Sequence, residues 1–371
     1  MGKSKNKKKG IFAYIPLWAM ILFGVGALAL IVETASRHSV WLANLVTNTT
    51  GKFFRAFLSY LTYLFPFSVA EMLLWFSPVL LGIIIALAIK AAGISWKALS
   101  RFTAGFLAVA VSIYSLFVFA MGTAYYGTGF AEKSGIERRD VSAEELYETA
   151  KLLLDGAARF TDQVMYPEGT YSSMPYTFEE MNEKLNEAYK NLCEKYDGVD
   201  NITTRSKPVI LSPIWTYTHI SGVYSFFTGE ATVNTNYPDF VIASSAAHEM
   251  AHQRGIVTED EANFVAFLVC AESDDSFLQY AAYMDMLNTF LSSLASVSSE
   301  LYVKIWGEMP AEIRGDFAAY SAFFDKYREN VAADVSDAVN NTYIENHNQP
   351  AGVKSYGLVV DMVVSYMLGG E

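Results

Sequence analysis

The sequence predicts an α-helical membrane anchor followed by a mainly helical α+β domain with a small sheet. Three observations carry this prediction. Uncharged stretches long enough to cross a bilayer crowd the first third of the chain. Charge is split: residues 1–122 hold 11 Lys/Arg and 2 Asp/Glu, a net of +9, whereas residues 123–371 hold 16 basic and 37 acidic residues, a net of −21. Finally, the acidic part shows helix-capping signals on both sides of a single segment rich in Val, Ile, Thr and Tyr. Composition agrees. The 371 residues are 52% hydrophobic and 18% charged, which excludes a disordered chain, a collagen-like fibre or a small disulfide scaffold. The net charge of −12 argues against nucleic acid as a partner, which needs a basic surface.

From Ile11 to Val32 there are 22 consecutive uncharged residues, and a bilayer core needs roughly 20 residues of helix. Two further runs, Met72–Ile89 and Phe102–Met121, complete a set of three expected spans near 11–32, 69–89 and 102–122. A cleaved signal peptide is the rival for the first, but its apolar region would be about 7–15 residues. Residues 1–10 form a basic tail with Lys3, Lys5, Lys7, Lys8 and Lys9, and Lys90, Lys97 and Arg101 flank the second turn. Lysine and arginine stay on the cytoplasmic side. That places residues 123–371 outside the cytoplasm, on a multi-pass anchor of residues 11–122. Arg37, Lys52 and Arg55 in the first loop weaken this bias without reversing it. The lipid bilayer is thus one expected partner.

In the acidic part, helices are expected at 141–160 and 177–196. Ser142 with Glu145, and Thr177 with Glu180, read as capping boxes at their starts. Residues 208–236 read as two or three short strands broken by Pro213, Gly222 and Gly229. From Val241 the pattern is helical, with loops near 308–312 and 345–356. The apolar run Gly357–Leu368 has 12 residues and reads as a buried helix, too short to span. Cys193 and Cys270 can pair in an oxidising compartment, or remain buried thiols.

The chemistry centres on His248-Glu249-Met250-Ala251-His252, an H-E-x-x-H pattern. On a helix, i and i+4 face the same way, so both imidazoles can bind one Zn2+ at about 2.0–2.1 Å. Glu249 stands beside the first ligand as general base for a water whose pKa the metal lowers to about 7. A third ligand is sought downstream. Gly255 can end the helix in the left-handed region. Thr258 can then cap the next helix, with Glu261 completing a capping box and Glu259 left to reach the metal. The competing assignment gives Glu261 the metal. Asn263, four residues after Glu259, can hydrogen-bond a ligand from behind. Candidate oxyanion donors are Tyr356, His219, Tyr280 and Arg254.

These positions resemble the gluzincin metallopeptidases, in which H-E-x-x-H is followed by a helix with E-x-x-x-[DN]; here those residues are His248, Glu249, His252, Glu259 and Asn263. The gap from His252 to Glu259 is shorter than in most gluzincins. The resemblance implies a zincin-like fold and a sheet edge beside the motif helix that pairs with extended peptide, for which Thr228–Asn236 is the candidate, with Glu230 facing a substrate amine or water. Over most of its length the chain resembles a bacterial membrane family known as domain of unknown function 3810. The matching segments are the N-terminal spans, Phe227–Asn234, His248–Asn263 and Lys354–Gly357. Tyr356 is favoured as a catalytic residue through that resemblance alone.

The expected function is a membrane-anchored zinc metallohydrolase, a peptidase acting on peptide or protein. His248, His252 and Glu259 hold the metal, and Glu249 serves as general base. Two alternatives differ in class or substrate: a non-catalytic zinc-fold sensor or assembly factor, and a cell-wall peptide amidase. The sequence does not specify an oligomeric state.

Overall fold

The protein is described by a computed structural model over residues 11–167, 171–328, 330–346 and 359–369. The basic tail of residues 1–10 lies outside the described residues. Helix α1 (Leu17–Ser36) is the first of three helices long and apolar enough to cross a membrane. It begins later than residue 11 because Pro16 sits at its N-cap, where a missing N–H is tolerated.

The next segment differs from the expected loop. Helix α2 (Val40–Val46), a π-turn at Thr47–Gly51 and α3 (Lys52–Tyr63) form a helical arm. Its amphipathicity is inverted. Arg55, Ser59 and Thr62 on α3 are buried, while Phe53, Phe57 and Leu61 are exposed. Helices α4 (Val69–Ile94) and α5 (Trp96–Ala120) are the other two long apolar helices, joined at Ser95, whose hydroxyl caps α5 by accepting from Ala98 N. Small residues let α1 and α5 approach closely: Ala19, Gly26 and Ala29 are buried on one, and Ala104, Gly105 and Ala108 on the other. A Cβ on Gly26 would overlap Val111.

The acidic part continues with α6 (Phe130–Lys133), α7 (Ala143–Ala158) and α8 (Phe178–Lys195). Both expected capping boxes form, at Ser142/Glu145 and Thr177/Glu180. Three strands follow, interrupted by the short helix α9 (Ser212–Trp215): β1 (Ser206–Pro208), β2 (Gly222–Ser225) and β3 (Glu230–Val233). Their order is β1-β3-β2, with β1 parallel and β2 antiparallel to β3. The strand beginning near Thr228 is therefore the buried centre of the sheet, and β2 is an edge. The remainder is helical: α10 (Asp239–Gln253), α11 (Glu259–Ala271), α12 (Ser276–Val297), α13 (Ser299–Glu308), α14 (Ala311–Phe324), α15 (Val331–Asn346) and α16 (Val359–Leu368). Helix α16 buries Val359, Met362, Val363 and Val364, as its length requires.

Helix α10 runs through the core. Its small residues Ala243, Ala246, Ala247 and Ala251 are fully buried and allow α11, α12 and β3 to pack against it. Cys193 and Cys270 are both free thiols. Burial pushes both above the usual thiol range.

The helical arm and the start of α4 are joined to the acidic part by buried polar contacts that cross residue 122. Arg55 donates to Asp200 Oδ2 from Nη2 at 2.7 Å and from Nε at 3.1 Å, and to the Ala120 carbonyl at 3.0 Å. Lys207 Nζ meets Glu230 Oε1 at 2.6 Å and donates to the Thr62 and Phe67 carbonyls. Glu230 also accepts from Val69 N and Ala70 N at 2.9 Å, capping α4. It is thus a buried structural group and faces neither substrate nor water. Glu71, which interrupts the apolar run, accepts from Ile210 N.

Candidate metal centre

Helix α10 carries His248, Glu249 and His252, and Gly255 ends the following turn at φ +97°, a left-handed conformation a glycine adopts without strain. The chain then reverses into α11, whose first residue is Glu259. His248, His252 and Glu259 meet across this turn. Their ligand atoms form a triangle: His248 Nε2 to His252 Nε2 is 3.1 Å, His248 Nε2 to Glu259 Oε2 is 3.2 Å, and His252 Nε2 to Glu259 Oε2 is 3.8 Å. Tetrahedral coordination at about 2.0–2.1 Å gives edges of about 3.3–3.4 Å, so the donor set fits a zinc-sized ion.

The tautomer fits as well. A carbonyl oxygen only accepts, so His252 Nδ1–H donates to Ile256 O at 2.7 Å, and Nε2 keeps its lone pair. Electrostatics favour a positive centre here. Burial lowers the His248 pKa, but hydrogen bonding to Glu259 and the charges of Glu249 and Glu259 outweigh burial and raise it to about 9. Burial raises the Glu259 pKa, and the His248 and His252 rings beside it outweigh burial and hold its carboxyl below the usual range. Asn263 lines the same cavity and adds hydrogen bonding that favours the charged His248 ring.

Glu249 is 5% exposed, and burial raises its pKa to about 7 against the opposing charges of His248 and His252. Its room comes from Gly222. A Cβ there would stand 2.6 Å from Glu249 Cγ and 2.7 Å from Oε1. Glu261 does not reach the triangle. Its Oε1 accepts from Ala131 N at 3.0 Å at the start of α6. Thr258 precedes α11 as its N-cap, but its hydroxyl makes no cap bond, so the expected capping box is not formed.

The centre opens on a cavity of about 1000 Å3, walled on one side by β2 and the residues before and after it. The Tyr224 ring lies 6.3 Å from that of His252, roughly parallel to it. Met121 and Tyr125, immediately after α5, also line the cavity. Among the described lining residues there is no Lys or Arg, while Glu249, Glu259, Asp285 and Asp337 are acidic. Asp285 on α12 was not indicated by the sequence. It lies 26 residues beyond Glu259 on another helix, with no motif to mark it.

The candidate oxyanion donors separate. His219 lines the cavity at φ +58°, with Nε2–H donating to Tyr327 O at 2.7 Å. Tyr280 is fully buried and donates to Asp316. Arg254 is buried over the Tyr189 ring at 4.0 Å and donates to Ile202 O and Asn186 Oδ1. Neither Tyr280 nor Arg254 lines the cavity. Tyr356 lies outside the described residues.

No curated protein and no solved structure matches the chain. A family model does, over residues 47–364, a stretch that runs from within the helical arm into α16 and includes His248, His252 and Glu259. The chain therefore belongs to the family described as protein of unknown function (DUF3810).

Proposed function

We propose that this chain is a membrane-anchored, zinc-dependent hydrolase of the gluzincin type, acting on peptide bonds outside the cytoplasm. One observation carries the reading: two imidazole nitrogens and a carboxylate oxygen converge at 3.1, 3.2 and 3.8 Å at the edge of a large cavity, beside a second, buried carboxylate, that of Glu249. A purely structural zinc site needs no such neighbour.

His248, His252 and Glu259 would hold the ion. When bound, zinc supplies Lewis acidity, polarising a carbonyl and letting water lose a proton near neutral pH. Glu249 accepts that proton on its carboxylate and returns it to the departing amine. The Ile256 carbonyl keeps His252 in the tautomer that presents Nε2. The expected peptide-pairing edge moves from β3 to β2. In its ladder with β3, alternation turns the N–H and C=O of Gly222 away from β3, on the side where an extended chain can add a strand. Three long apolar helices and the outward Phe53, Phe57 and Leu61 support the membrane location. The flanking Lys90, Lys97 and Arg101 support a cytoplasmic turn between α4 and α5.

The test uses the full chain in detergent. Metal analysis is expected to give about one zinc per chain. Glu249→Gln is expected to keep that zinc and to lose hydrolysis by about 10²–10⁴-fold. Metal-free wild-type protein, or undiminished turnover in the variant, overturns the reading.

A further inference from the structure

The hydrolytic roles leave one charged group of the cavity unused. Asp285 lines the cavity, and its carboxylate has no hydrogen-bond or ion-pair partner among the described residues. No Lys or Arg among the described lining residues offsets it. Asp285 is half-buried, and its carboxylate faces the cavity, where a cation entering with a ligand would meet an unopposed negative charge.

Its surroundings suit a cation. Tyr237, Tyr320 and Phe324 line the same cavity. Their rings form a continuous aromatic wall: Tyr237 to Phe324 is 5.5 Å at 62°, and Tyr320 to Phe324 is 4.8 Å at 59°. Tyr237 is 5% exposed, and its hydroxyl is buried without a hydrogen-bond partner among the described residues. The charge of Asp285 acts on the Tyr320 phenol and is itself acted on by His248, so the carboxylate lies within electrostatic reach of both aromatic wall and triangle. Aromatic faces and a carboxylate together recognise an ammonium or guanidinium, through the ring quadrupole and a charge-assisted hydrogen bond.

We propose that Asp285, Tyr237, Tyr320 and Phe324 form a specificity subsite that takes a lysine or arginine side chain of the substrate close to the hydrolysed bond. This rests on the hydrolytic reading above and adds a substrate class to it. Asp285 touches substrate here and no metal ligand.

The experiment presents the full-length protein in detergent, loaded with zinc, with a peptide library blocked at both termini, and reads the products by mass spectrometry. Lys or Arg is expected to be enriched at one fixed position relative to the cut. Asp285→Asn is expected to lower kcat/KM on a lysine peptide by roughly ten- to a hundredfold, to spare its norleucine analogue, and to keep the zinc.

Equal cleavage of the lysine and norleucine peptides, or a cationic preference that survives Asp285→Asn, overturns the subsite and leaves the hydrolytic reading standing. Loss of zinc in Asp285→Asn also overturns it, making Asp285 a positioning residue for His248. Wild-type protein that holds zinc and cleaves no library peptide overturns both. A cationic preference retained alongside full activity in Glu249→Gln supports the subsite and overturns the role of Glu249.

Discussion

Glu259 and Glu261 stand two residues apart on α11, about 200° around the helix, and so cannot serve the same site. Glu259 turns to His248 and His252, whereas Glu261 turns to the backbone of Ala131. Glu259→Ala is expected to abolish zinc binding, read by metal analysis. Glu261→Ala is expected to keep the zinc and to lower stability by about 1–2 kcal/mol, read by thermal unfolding, because a buried N–H at the start of α6 loses its acceptor. Gly222→Ala separates position from chemistry. The added methyl displaces the Glu249 carboxylate, so turnover is expected to fall with zinc content unchanged. H-E-x-x-H was legible because i, i+4 spacing is a local property of a helix. The placement of Glu259 beside the two imidazoles was also legible, but by a partly wrong route. The Thr258–Glu261 pair has the same pattern as Ser142–Glu145, yet no box forms, because Ala131, 130 residues earlier in the chain, claims the carboxylate. Asp285 and Gly222 take their roles from tertiary contacts alone, and nothing adjacent to them in the chain announces it.

At the scale of elements, α7 and α12 depend on one missing side chain. Gly156 sits in the last turns of α7, and a Cβ there would stand 2.5 Å from the Tyr283 ring. Glycine to alanine within a helix usually stabilises by about 1 kcal/mol. Here the clash wins, and Gly156→Ala is expected to destabilise by about 1–3 kcal/mol in denaturant unfolding. Asp275 starts α12 by accepting from Phe277 N and Leu278 N. Burial raises its pKa, but the Leu278, Tyr176 and Lys184 hydrogen bonds outweigh burial and hold it below the ordinary 3.8. A lowered folded pKa means that the stabilisation is present above pH 3.8 and fades as pH falls through the lower folded value. Asp275→Ala is therefore expected to be about 1 kcal/mol less stable at neutral pH, with the gap to wild type closing in strong acid, as melting curves at both pH values will read. The capping boxes of α7 and α8 were legible because each is closed within four residues. Strand order was not. Thr228–Asn236 and Gly222–Ser225 share a β-prone composition, and only the pairing with β1 makes β3 central.

For the whole molecule, the spans were legible from composition, while the helical arm was not. Its buried Arg55, Ser59 and Thr62 give the sequence the polar look of a loop, since burial there is against protein and exposure is apolar. The contacts across residue 122 carry a prediction. Removing one partner of a buried ion pair costs about 3–5 kcal/mol, and Arg55 is 2% exposed against Asp200. Arg55→Ala is expected to lower stability by that order. A fragment of residues 123–371 would leave Asp200, Lys207 and Glu230 without their partners from 55–70, and is expected to aggregate or melt early where the full chain in detergent does not, as size-exclusion chromatography and circular dichroism will show. Met121 and Tyr125 follow α5 with no intervening tether and line the cavity. A cleft mounted in this way cannot swing out on a stalk. For the membrane-anchored hydrolase proposed above, this would confine the cleft to the plane of the bilayer, so its substrate would have to come to that surface or already lie there.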